Sequence, residues 1–390
     1  GVGIVKGVLI NMLTSVPTGN NVIFVAIVNG NNATGAKGNR GLPFATITGA
    51  QGANSVAVPG DTIICEGQPD EINFMINGVT YIIDGDFKYT GVAFGGLIDD
   101  TAATGQNGAI VATLIVNGVF ENQNVAVGTT RIVNLNNAGS FVTIKYITAN
   151  VTAVTGEWGV DLSGGAQLNS TGLLQTEIFN HGGLMNHHGN IDCNTSTTFN
   201  DIEQNGTLNV FGNMHSSVHK TIDVFTDGNF YCSGDITNNS LLHEAASFDS
   251  SNSRVVGRVI KTGTTNGFAV DCTVMSGTSK LELLGGIQTD DGELIRVSVG
   301  SVNVYLEGRL QNNWNNAAGH GIVMLAAGLD NRVITQNCVI VLTHPAAISI
   351  NNSGDAGNKV VNNTIPSSNR PVTVGLVQEV NNLNDDTDVI

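Results

Sequence analysis

The chain has 390 residues, a formal net charge of −16, 12% charged side chains and 49 glycines. So little charge, against a usual ~25%, together with so much glycine disfavours a helix-rich globular fold. Only 16 Lys and Arg are present, scattered singly. Phosphate backbones and anionic bilayers both need a basic stripe, so nucleic-acid and membrane-surface partners are disfavoured, and without a run of ~20 apolar residues no membrane-spanning helix is encoded.

Residues 1–20 open with GVGIVKGVLINML, which is apolar and lacks both a charged leader and a cleavage site. A docking arm or first strand is expected there. From Asn21 to Ile64 the chain reads NVIFVAIVNGNNATGAKGNRGLPFATITGAQGANSVAVPGDTII. A strand leads into Gly30-Asn31-Asn32 and a glycine-rich loop, then Pro43-Phe44-Ala45-Thr46-Ile47, a short amphipathic stretch, and Pro59-Gly60-Asp61-Thr62-Ile63. This order resembles the capping segment of the pectate-lyase-like right-handed parallel β-helix superfamily, which includes phage tail spikes and fibres. The resemblance implies that residues 21–64 form a lid, because the first turn of such a helix otherwise exposes its core and an unpaired strand edge. Gly49, Gly52 and Asn54 stand where relatives carry a solid helix, so a short or irregular lid is expected.

The middle of the chain is repetitive. Gly189, Gly212, Gly234, Gly257, Gly285 and Gly308 follow one another at steps of 23, 22, 23, 28 and 23 residues. Apolar residues flank them at alternate positions: Leu208, Val210, Gly212 and Met214 return as Phe230, Cys232, Gly234 and Ile236, then as Leu281, Leu283, Gly285 and Ile287. Period two marks a strand with one buried face. A unit of about 22 residues is too short for a helical pair and has room for three short strands with three bends. Residues 65–365 are therefore expected to form an all-β, right-handed parallel β-helix of roughly ten or eleven coils. Gly118, with Leu114, Val116 and Phe120, and Gly164, with Val160, Leu162 and Ala166, read as earlier members of the same register. The five extra residues before Gly285 belong in a loop. Asn331–Val339 and Asn358–Ile365 resemble each other downstream.

Five cysteines, Cys65, Cys193, Cys232, Cys272 and Cys338, are odd in number and show no metal-ligand or disulfide spacing. They read as small buried hydrophobes in a chain assembled in a reducing cytosol. No cofactor or metal is expected. His181, His187, His188, His215 and His219 fall within two coils, but a metal site would need several on one face or symmetry-related copies around an axis.

Asp201 and Asp223 each lie eleven residues before their glycine. If the bends match, the two carboxylates stack about one strand spacing apart, near the ~5 Å separation of a retaining glycosidase pair, as acid and nucleophile. A solvated ladder, an Asx turn or a weak cation site would leave the same trace. Asp290-Asp291-Gly292-Glu293 reads as a bend with a charged tip. No nucleophile elbow, phosphate-binding loop or zinc-protease helix occurs.

Residues 366–390 lose the glycine register and end in an acidic, apolar-tipped tail, expected to serve oligomerisation or attachment. These features lead to the expectation of a structural virion appendage, a β-helical fibre or spike. It would be a homotrimer, assembled in the host cytoplasm, joined to other virion proteins through its termini and displayed on the virion surface toward a host surface glycan. A polysaccharide-cleaving spike or secreted enzyme acting through Asp201 and Asp223, and a bacterial surface adhesin, are the alternatives.

Overall fold

The computed structural model describes residues 21–51, 57–71, 75–91, 95–101, 108–123, 130–151, 158–193, 202–225, 227–249, 252–263, 267–272, 280–297, 303–324, 332–344 and 347, and the short strands 350–352, 359–361, 364–365, 378–380 and 383–384. The chain is nearly all β and winds as a parallel β-helix solenoid. It divides into two compact units, residues 1–154 with 162–173, and residues 155–161 with 174–390. Each coil carries up to three strands, here called first, second and third.

In the first unit, Val22–Ala26, Thr62–Glu66, Thr80–Asp84, Val111–Val116 and the start of Phe141–Val151 are parallel neighbours. One side chain in two points inward, so Ile23, Ile63, Tyr81, Leu114 and Ile144 form one buried file in register. The bends between these strands differ greatly in length, yet the register survives because each slip by one residue would turn the apolar set outward. Among the described residues of 21–64 there is one helical turn, Ile47–Gln51, with Ile47 and Ala50 buried. Its free backbone donors are met by Glu71, which accepts from the amides of Ile47 and Thr48 at 2.7 Å each. Gly49 is required by contact, since a Cβ there would collide with Asn32, whose side-chain oxygen accepts from the amides of Ala45 and Thr46.

Gly118 holds the expected place: it sits at the corner between two strands, directly against the backbone of Gly85. Gly164 does not. It follows Val160–Ser163 at the bend leading into Gln167–Gln175, with φ +60°, packed against Asn136, and the corner of that coil is at Gly172 over the carbonyl of Tyr146. The apolar alternation before Gly164 belongs to a third strand, which has the same period two as a first strand.

The second unit repeats most regularly. First strands Leu184–His188, Thr207–Val210, Asn229–Cys232, Asn252–Val255 and Lys280–Leu283 pair in parallel, as do second strands Ile191–Cys193, Met214–Ser216, Ile236–Asn238, Val259–Lys261 and Gly286–Thr289. Leu208, Phe230, Leu281 and Val304 line one buried file, and Met214, Ile236, Val259, Ile287 and Leu310 another. Between them runs the glycine file. A Cβ on Gly212 would overlap the carbonyl of Gly189, one on Gly234 that of Gly212, and one on Gly257 that of Gly234. Parallel pairing continues past residue 365, joining Lys359–Val361 to Gln378–Val380 and Thr364–Ile365 to Leu383–Asn384, so part of the expected tail carries the ladder onward.

A third inward file is polar. Cys193, Ser216, Asn238, Lys261, Thr289 and Asn312 are in register and buried at the end of the second strands. Asn238 and Asn312 satisfy backbone groups in the bends of their own and the preceding coil. The Asn238 amide donates to the His219 carbonyl at 2.5 Å and accepts from the Ser240 amide at 2.8 Å, and Asn312 donates to the carbonyls of Gly292 and His320 at 2.7 and 3.1 Å. Buried backbone groups need such partners, and here the core supplies them.

Candidate functional site

Third strands Ile222–Val224, Ala246–Phe248, Phe268–Cys272 and Glu293–Val297 bury two files, one running Ile222, Ala246, Val270, Ile295 and the other containing Val224, Phe248, Cys272 and Val297. Between those inward residues the strand must point one side chain out. The resulting outward column is Asp223, Ser247, Asp271 and Arg296.

Asp201 lies outside the described residues. The backbone opposite Asp223 in the preceding coil is Glu203, with Gln204 opposite Val224. Counting back from the glycine misplaces the pair because the bends differ: two residues separate Gln204 from Thr207, whereas four separate Val224 from Asn229.

Asp223 is sealed. Lys220 Nζ lies 3.2 Å from Asp223 Oδ2 and 2.9 Å from Glu244 Oε1, and only 6% of the Asp223 side chain is exposed. Lys220 and Glu244 come from the bends of successive coils, so one ammonium ties the two bends to the column. Burial raises the Asp223 carboxyl above its ordinary value against the pull of Lys220. Burial also works against the Lys220 charge, but Asp223 and Glu244 outweigh it and hold that ammonium above the usual lysine value. A carboxylate so covered anchors bends and has no open face for a substrate.

Asp271 is the more available acid. Burial, then the charge of Glu244, pushes its carboxyl up to about 6, although Arg296 opposes them. Its Oδ1 is buried with no hydrogen-bond partner. Such a group exchanges its proton near neutrality, as acid–base chemistry requires.

The histidines spread over different faces. His187 is buried inside, with Nε2 3.2 Å from the Asn190 carbonyl. His188 stacks on Phe211 at 4.4 Å, His215 Nδ1 meets Asp192 Oδ1 at 2.8 Å, His181 Nδ1 meets the Asn205 amide at 2.9 Å, and His219 lies 4.9 Å from His243. Among the described residues no three His, Cys, Asp or Glu side chains converge as metal ligands. All five cysteines are buried and outside any disulfide, and burial raises the Cys232 thiol to about 12. In the acidic bend, Asp291 is buried, Asp290 accepts from the Asn313 side chain at 2.7 Å, and Gly292 supplies φ +81°.

No protein-family model, curated protein or solved structure matches the chain. Lys220, Glu244, Asp271 and Arg296 were not singled out by sequence reading. Their only trace is position within the third strand, since the column mixes acid, hydroxyl and base and repeats no motif.

Proposed function

We propose that this chain is a structural virion appendage, a β-helical fibre or spike acting as a homotrimer, which displays ordered side chains toward a host surface glycan. The observation that carries this reading is the bonding of outward side chains, exposed or half-buried, from coil to coil. Asn209 donates to Asn186 at 2.8 Å, Arg258 meets Asp235 at 3.2 Å, and Thr262 donates to Asn239 at 2.6 Å, each joining residues 23 apart. Side chains held this way lose little further rotamer freedom when a partner docks. Buried thiols outside any disulfide suit assembly in a cytoplasm before display on the particle. Immunogold electron microscopy and mass spectrometry of purified particles test the reading. It requires the chain at a projecting appendage, and its absence from intact particles overturns it.

Glycan cleavage is a second reading, favoured by the raised acid of Asp271 in the outward column, while Asp223, two rungs away and covered by Lys220, takes no part in it. Depolymerisation of host polysaccharide that disappears in Asp271→Asn supports cleavage, and an unchanged rate removes Asp271 from it.

A further inference from the structure

Beside the outward column, strands Phe268–Cys272 and Glu293–Val297 and the bend after Asn312 enclose a groove of about 290 Å³. Its floor is bare backbone: a Cβ on Gly292, which has φ +81°, would collide with the carbonyl of Gly267. Asn312 fixes the walls from within, donating to Gly292 and accepting from the Trp314 amide at 2.9 Å.

Two charged groups of the lining, Arg296 and Glu293, have unmet demands, and Asp271 stands beside Arg296 in the outward column. The Arg296 guanidinium lies 3.4 Å from the centre of the Phe268 ring, which fixes its plane, and its Nε is buried with no hydrogen-bond partner. Glu293 Oε2 is likewise buried without a hydrogen-bond partner, since its ion pair with Arg296 Nη2, at 3.9 Å, is too long for a hydrogen bond. Asp271, in register with Arg296 but outside the groove lining, contributes a second such oxygen. Buried polar atoms are almost always hydrogen-bonded, so two exceptions in the lining of one groove, with a third beside it, fit a ligand that both donates and accepts.

We infer that this groove binds a single neutral saccharide residue, with its C–H face on Trp314 and adjacent hydroxyls donating to Glu293 and accepting from Arg296. A purely apolar ligand would leave these polar atoms unmet. A carboxylated sugar would face the Glu293 carboxylate of the lining, with Asp271 next to it, against Arg296, an excess of negative charge. The inference rests on the glycan-attachment reading and names the place and chemical class of contact.

Saturation-transfer NMR and calorimetry on the full chain test it, using the methyl glycosides of glucose, galactose and N-acetylglucosamine, with methyl glucuronide as the anionic comparison. At least one neutral glycoside should bind, more tightly than the glucuronide. Trp314→Ala and Glu293→Ala should each weaken that binding about tenfold or more, whereas Trp314→Phe, which keeps a ring, should lose far less. Unchanged circular dichroism separates these effects from unfolding. Failure of every neutral glycoside to bind, equal binding by Trp314→Ala, or preference for the glucuronide overturns the inference. Because binding is measured on the isolated chain, its failure is distinct from absence of the protein from particles.

Discussion

The carbonyl of Gly234 occupies the space that a side chain on Gly257 would need. The same contact links Gly212 to Gly234 and Gly189 to Gly212, so the corner of each coil is the template for the next. Adding one methyl group at Gly257 forces backbone apart where parallel strands must stay in register. Gly257→Ala should therefore destabilise the protein by about 1 to 3 kcal/mol, the range of overpacking in tight interiors. Val256→Ala, beside it but exposed, should stay within about 0.5 kcal/mol. Urea midpoints of the two variants decide the point, and equal midpoints would contradict the stacking role of the glycine.

Asn238 is buried and bonds two bends, its own and that of the preceding coil. Asn238→Ala leaves the His219 carbonyl and the Ser240 amide without this partner, and should lower stability by about 1 to 3 kcal/mol. Hydrogen exchange at Ser240 should accelerate in the variant while the amides of the first strands keep their protection. An unchanged Ser240 rate would show that the bend is held by other contacts.

Asp271 makes stability depend on pH in a defined direction. Its carboxyl is raised in the folded chain, chiefly by burial, from 3.8 to about 6. The native state thus holds this proton more tightly than the unfolded chain does. The stability it contributes is complete below about pH 4 and is lost as pH climbs toward about 6. Asp271→Asn cannot undergo this loss, so the variant should gain on the parent across that interval and remain ahead at neutrality. Urea midpoints measured through the interval check this, and a constant difference between the two proteins would rule it out.

The five thiols should be silent in the folded protein. Burial raises Cys65 and Cys232 to about 12, and Cys272 well above its ordinary value. Ellman's reagent should label none of them natively and all five after unfolding in guanidinium, because the thiolate is the reactive species. Rapid native labelling of any one would place it outside the core.

Fold was legible in the sequence wherever inward residues and a corner recur together. Leu208, Val210, Gly212 and Met214 state the whole local geometry: two inward strand residues, a corner with no room for a side chain, and the next inward residue. Gly164 shows the limit, because a third strand ending in a bend glycine produces the same alternation as a first strand. The site was less legible for a related reason. Asp201 and Asp223 are equidistant from their glycines, yet bends of different length place Glu203 across from Asp223. Columns are set by strand register, and only the core-facing files repeat in chemistry. Asp271, Arg296 and Trp314 gain significance from neighbours one coil away, which linear spacing does not reveal.

Pulsed dipolar spectroscopy along one outward file tests the stacking itself. Asn186, Asn209, Tyr231, Arg254, Glu282 and Tyr305 occupy successive rungs in register. With one spin label at Asn186→Cys and the second in turn at Arg254→Cys, Glu282→Cys and Tyr305→Cys, the mean separation should grow by about 5 Å at each step, one strand spacing per coil. Separations that fail to increase in that order, or that jump irregularly from one rung to the next, would contradict a parallel β-helix and every inference drawn from its columns.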